Sequence, residues 1–102
     1  MVIGQINPCN DVPSKFIKKM NKCKLENDPQ KKLAGLSKIL SKYPEQAEIY
    51  YEIASLYERA GLRALKTNSS PTDGDKTLKK AIYFYQKSIQ KCRGFDYRNY
   101  FN

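Results

Sequence analysis

The stretch Ala47-Glu-Ile-Tyr-Tyr-Glu-Ile-Ala-Ser-Leu-Tyr-Glu-Arg-Ala-Gly61 decides how this chain folds. Its apolar residues form two rows at spacings of three and four. One is Ala47, Tyr50, Ala54, Tyr57 and Gly61; the other is Ile49, Ile53, Leu56 and Ala60. Residues recurring at that period share one face of an α-helix. Two such rows suit a helix that buries surface against neighbours on both sides. Ala54, Ala60, Gly61 and Ala64 are small enough to let another helix approach closely. Nowhere does the chain alternate apolar and polar residues between turns as a hairpin would, and Tyr83-Phe84-Tyr85 sits inside a helical period. The fold class is therefore all-α.

Working outward, a second helix is expected over about 29–43, with Leu33, Leu36, Leu40 and Tyr43 on one stripe. Asp28 can accept hydrogen bonds from its first free N–H groups, and Pro29 suits the first helical position. Pro44 ends it, because the residue before a proline is pushed away from helical geometry. Before it, a helix from Pro13 or Ser14 to about Leu25 sets Phe16, Ile17, Met20 and Cys23 against Lys15, Lys18, Lys19 and Lys22. Downstream, residues 67–75 read as a loop in which Asp73 or Asp75 caps the next helix. That last helix, about 76–92, carries Leu78, Ala81, Ile82, Tyr85, Ile89 and Cys92, and Gly94 suits its end. Residues 1–12 read as irregular and 94–102 as an aromatic tail, which leaves one domain of about four helices.

Composition narrows the function classes. The chain has 102 residues, 19 Lys and Arg against 10 Asp and Glu, and a formal net charge of +9. That excess favours encounter with acidic partners, whether peptide, nucleic acid or anionic membrane. It also suits a lysine-rich surface that simply keeps the protein soluble. There is no His, and Cys9, Cys23 and Cys92 form no CxxC pair. Metal sites of the usual Cys/His kinds and imidazole bases are thereby excluded, and no metal or cofactor is expected. Reduced thiols are the simplest expectation, with a Cys9–Cys23 bridge as the alternative. The N-terminus has no signal-peptide pattern and no stretch reaches the ~18 apolar residues of a membrane span. For a whole protein the expectation is a soluble, cytoplasmic one.

The pattern resembles the tetratricopeptide repeat, a helix–turn–helix unit of about 34 residues. Tyr50, Ile53-Ala54, Tyr57 and Gly61 stand at the spacings of that family's first helix. Ala81, Tyr85 and Ser88 match its second, and Pro44 matches the proline that closes a preceding repeat. Tyr57 and Ala81 are 24 residues apart where the repeat expects about nine, so the unit is an elaborated one. The lengthened repeat after Lys42-Tyr43-Pro44 is also similar to the region preceding the catalytic domain of aspartyl/asparaginyl β-hydroxylases. That likeness supplies no catalytic residue, and the His of an iron site is missing. The resemblance implies antiparallel helical hairpins with a concave groove for a peptide or helix, lined here by Tyr51, Ser55, Glu58, Arg59 and Leu62. A packing role for Tyr51 and Leu62 beneath the long loop is the alternative.

Three further features carry charge. Lys15, Lys18, Lys19 and Lys22, interleaved with Phe16, Ile17 and Met20, form a basic patch able to dock on an acidic partner or anionic membrane. The plainer reading buries the apolar side and leaves the lysines in water. Lys79, Lys80, Lys87, Lys91, Arg93 and Arg98 beside Tyr97 and Tyr100 could serve phosphates and bases. Glu45, Glu48 and Glu52 lie near a helix start, where negative charge is favoured, and make no acid–base pair. Ser69 and Ser70 before Pro71, and the Asn68-Ser-Ser sequon, are short modification patterns. The expected function is non-catalytic: binding an acidic protein segment, with the short array completed by the first helix acting as a cap, by self-association or by a larger parent chain. A basic RNA- or membrane-binding module, and a non-catalytic domain of a larger enzyme, are the alternatives.

Overall fold

The computed structural model describes residues 12–67 and 71–92, with side chains from residue 73 in the second range. Four helices succeed one another: α1 Ser14–Lys24, α2 Pro29–Lys42, α3 Ala47–Lys66 and α4 Pro71–Lys91. No strand occurs among the described residues, and the fold is all-α. Residues 1–11, the sequon, Ser69, Ser70, Gly94 and the aromatic tail, with the expectations attached to them, lie outside the described residues. None of the described helices is long and apolar enough to cross a membrane.

Local chemistry sets the first boundaries as expected. Asp28 Oδ1 accepts a hydrogen bond from the Gln30 N–H at 2.9 Å, and Pro29 opens α2. Such a cap contributes about 1 kcal/mol. Helix α2 ends at Lys42, ahead of Tyr43 and Pro44. Tyr50 then donates its hydroxyl to the Pro44 carbonyl at 2.7 Å, tying the first turn of α3 to the end of α2. At the close of α1, Lys24 Nζ meets Glu48 at 2.7 Å and Glu52 at 3.8 Å, pinning α1 to α3.

The tightest packing is between α3 and α4. On α3, Ala47, Ala54 and Gly61 are seven residues apart; on α4, Gly74, Ala81 and Ser88 repeat that step, and all six are buried. A Cβ on Gly61 would meet Leu78 Cγ at 2.8 Å and the Gly74 carbonyl oxygen at 3.1 Å. A Cβ on Gly74 would meet Leu65 Cγ at 2.9 Å. Antiparallel helices that set Gly61 opposite Gly74 bring Ala54 level with Ala81 and Ala47 level with Ser88, because both advance by the same step. The seven-residue period is that of a supercoiled pair. Aromatic rings border this seam: Phe84 stacks on Tyr57 with centroids 5.7 Å apart, and on Tyr50 at 6.5 Å.

The other row of α3 turns to the N-terminal hairpin. Ile49 and Ile53 join Phe16 and Met20 of α1 and Leu36 and Ile39 of α2 in one buried cluster. Phe16 meets the Tyr43 ring edge-on at 5.4 Å.

Three local expectations are corrected. Helix α4 begins at Pro71, so 71–75 are helical; Asp73 and Asp75 lie inside the helix, and Asp75 pairs with Lys79 one turn on. Gly74 is there because α3 comes too close for a side chain. The buried stripe of α4 is Gly74, Ala81, Ser88 and Cys92, whereas Ile82 and Ile89 are exposed. Close approach selected the small residues along the stripe, with Leu78 beside Gly61, and left Ile82 and Ile89 outside it. Ile17 and Ala60 are also exposed, because each lies at the edge of its row.

Candidate partner-binding surface

The residues of the expected groove part company. Tyr51 is only 4% exposed, with its ring 5.6 Å from that of Tyr85. Tyr85 donates its hydroxyl to Glu58 Oε1 at 2.7 Å. Burial first, and that bond second, push the Tyr85 phenol up to about 12. Ser55 hydrogen-bonds within the same group, so Tyr51, Ser55 and Glu58 gather around one α4 tyrosine. Arg59 points elsewhere: its Nε donates to the Ser55 carbonyl at 3.4 Å, and it lines a hollow of about 160 Å³ with Lys32 and Arg63. Leu62 is half exposed and takes no part in lining that hollow.

The cations divide into two populations. Four of the five lysines of α4, all but Lys76, have partners within the chain. Lys79 pairs with Asp75 at 3.2 Å and Lys91 with Glu45 at 2.9 Å. Lys80 lies over Tyr57, Lys87 over Tyr83 and Lys91 over Tyr50, each within 6 Å of the ring centre. Arg93, Arg98, Tyr97 and Tyr100 lie outside the described residues. The N-terminal hairpin is different. Residues 14–42 carry nine lysines and two carboxylates, Glu26 and Asp28. Of the nine, only Lys24 forms an ion pair with a described carboxylate. Lys15, Lys18, Lys19 and Lys22 are all exposed.

Between α1 and α2 lies a cavity of about 430 Å³. Cys23, Gly35 and Ile39 form its apolar side. Lys19 and Lys22 wall it from α1, Lys31 and Lys38 from α2, and Glu26 closes one end. The helices approach here as closely as a missing side chain permits, since a Cβ on Gly35 would meet Cys23 Sγ at 2.9 Å. Cys23 is a free thiol whose Sγ–H donates to the Lys32 carbonyl at 3.4 Å. Burial pushes its pKa up, with Lys32 opposing, so the protonated thiol predominates at neutral pH. The anticipated Cys9–Cys23 bridge is therefore not formed, and Cys92, anticipated as a reduced thiol, is disulfide-bonded.

The remaining titratable cluster is Lys24 with Glu48 and Glu52. Burial raises the Glu52 pKa while Lys24 lowers it, and Glu48 adds to the rise. With its lysine bound to both carboxylates, the trio joins two helices. No group of three or more His, Cys, Asp or Glu side chains suited to a metal ion occurs among the described residues.

Sequence reasoning singled out two of the four lysines of this cavity. It found Lys19 and Lys22, but not Lys31, Lys38, Gly35 or Cys23 as parts of the same cavity. The available signal was the seven-residue step from Lys31 to Lys38 with Gly35 between them. No protein-family model, curated protein or solved structure matches the chain.

Proposed function

We propose that this chain is a non-catalytic module that binds an acidic segment of a partner protein on its α1–α2 hairpin. The observation that carries the reading is the segregation of charge: nine lysines face two carboxylates over residues 14–42, and eight lack a described carboxylate partner. Like charges held together repel one another and attract an acidic chain from a distance, which raises the rate of encounter. Four of the five α4 lysines, by contrast, are taken up by Asp75, Glu45 and three tyrosine rings. That weakens the nucleic-acid reading, which drew on them.

The tetratricopeptide-type hairpin belongs to this proposal. What supports it is the burial of Tyr50, Ala54, Gly61, Ala81 and Ser88, the positions at which that repeat packs helix on helix. The bonded state of Cys92 bears on where the module works. Disulfides persist in oxidising compartments and are reduced in the cytosol, so the redox state of Cys92 in cells discriminates a cytosolic module from an exported one.

The test is anisotropy of a fluorescent glutamate-rich peptide titrated with the protein. Reversal of Lys15, Lys18, Lys19 and Lys22 to Glu should abolish binding, whereas reversal of Lys79, Lys80 and Lys87 should leave most of it. Binding should also weaken with added salt. Equal loss in both variants would overturn the assignment to the hairpin.

A further inference from the structure

We infer that the docking site is the cavity between α1 and α2, and that its occupant is an acidic peptide segment carrying an apolar side chain among its carboxylates. The inference rests on the acidic-partner reading and goes further in naming the place and the pattern recognised.

Shape supplies the first argument. A cavity of about 430 Å³ has room for side chains, not merely a counterion. The floor of Cys23, Gly35 and Ile39 offers no strong hydrogen-bonding group to an occupant, because the Cys23 S–H is directed to the Lys32 carbonyl. Such a floor gains from contact with an apolar group and gains nothing from a carboxylate.

Charge supplies the second. Lys31 and Lys38 are two helical turns apart, about 10 Å along α2. Carboxylates three residues apart on a peptide in the polyproline-II conformation share a face and are separated by about 9 Å, close to the same length. Lys19 and Lys22 face them from α1. Cys23 lies against Gly35, so the antiparallel hairpin places Lys19 towards Lys38 and Glu26 towards Lys31. The Glu26 end repels acid and the Lys19–Lys38 end attracts it. The occupant therefore concentrates its carboxylates at the latter end, which gives the segment a preferred direction.

The alternatives fit less well. None of the residues lining the cavity is aromatic, so nucleic-acid bases would find nothing to stack on. A flat anionic membrane would reach the rim lysines without entering between the helices, leaving the floor uncovered.

Cys23 makes the difference measurable. It is a free thiol on the cavity floor, whereas Cys92 is already bonded. Alkylation of Cys23 by N-ethylmaleimide is followed by peptide-mapped mass spectrometry, with peptide binding read in parallel by anisotropy. The probes are a Glu-Glu-Leu-Glu repeat peptide, a glutamate-only peptide, a single-stranded RNA oligonucleotide and phosphatidylserine vesicles. At a repeat-peptide concentration about ten times its dissociation constant, alkylation should slow about tenfold, because only the unoccupied fraction reacts. Lys31→Glu/Lys38→Glu changes two exposed side chains, should keep the wild-type helix signal in circular dichroism, and should abolish that protection. Repeat-peptide binding without Cys23 protection would overturn the cavity while the acidic-partner reading stood. Equal protection by the glutamate-only peptide would overturn the apolar anchor. Stronger protection by RNA or vesicles would overturn the choice of occupant. Failure of both peptides to bind would overturn the underlying reading itself.

Discussion

Replacing Gly61 by Ala tests the seam between α3 and α4, because two physical effects give opposite signs. Glycine inside a helix costs about 1 kcal/mol relative to alanine, so helix propensity alone makes Gly61→Ala stabilising by that amount. The structure opposes this. The new methyl would lie 2.8 Å from Leu78 Cγ, 2.9 Å from its Cδ2 and 3.1 Å from the Gly74 carbonyl oxygen. The first contact is near the root of the leucine side chain and the last is backbone, so neither yields by rotating a chain end. Overpacking of a tight contact typically costs about 1–3 kcal/mol. The balance is a net loss of about 1 kcal/mol, which lowers the melting midpoint by roughly 4–8 °C in a domain of this size. Thermal melts followed by circular dichroism at the helix band supply the value. In a Leu78→Ala background the same substitution should lose most of its penalty, giving a double-mutant coupling on the order of 1 kcal/mol. A raised midpoint for Gly61→Ala alone would refute the close approach of α3 and α4 at this point.

Three other outcomes are expected. Ultraviolet titration of the phenols should show one tyrosine ionising near 12, absent from Tyr85→Phe; because that pKa is raised in the folded state, its stabilisation is present below about pH 10 and is lost as pH rises through 12. The Glu52 pKa is raised mainly by burial, so the wild type should lose stability as pH rises through it, and Glu52→Gln should melt higher than wild type at neutral pH but not in acid, as pH-dependent melts can show. Asp28→Ala should lower stability by about 1 kcal/mol in urea titrations, because the Gln30 N–H at the start of α2 loses its acceptor.

How much of this was legible in the sequence depended on whether the signal was local. The Asp28-Pro29 start and the Pro44 stop of α2 are short-range chemistry, and both stand where the residues put them. The two faces of α3 were readable from their spacing, and each meets a different neighbour. Reading failed where a neighbouring helix overrode the local preference. Thr72-Asp73-Gly74-Asp75 has the composition of a loop, yet it is helical, and only the presence of α3 explains the glycine. Ile82 and Ile89 were weighted for size, but the contact is so close that only Gly74, Ala81 and Ser88 fit it. The basic cavity was half hidden for the same reason. Lys19 and Lys22 precede the turn and Lys31 and Lys38 come after it, and their convergence is a property of the hairpin.

The division of the molecule into a seam of small buried residues and a charged hairpin has a physical consequence for binding. Eight lysines on two adjacent helices repel one another, but along α2 the rim lysines stand about 10 Å apart, comparable to the ~8 Å screening length at physiological salt. Free in solution, the repulsion between those two is largely screened, whereas Lys15, Lys18, Lys19 and Lys22 stand three and four residues apart on α1 and still repel one another. A carboxylate seated between the rims would come within a few ångströms of two cations, where mobile ions screen far less, and the apolar floor would exclude water on one side. A seated carboxylate would therefore also offset part of the repulsion the lysines impose on the free fold. Helix α3 meanwhile holds the hairpin in place through Ile49 and Ile53, and among the hairpin lysines its Glu48 and Glu52 engage Lys24 alone. On this account the salt dependence should belong to the hairpin and the thermal stability mainly to the seam, so substitutions in one should leave the other's readout nearly unchanged.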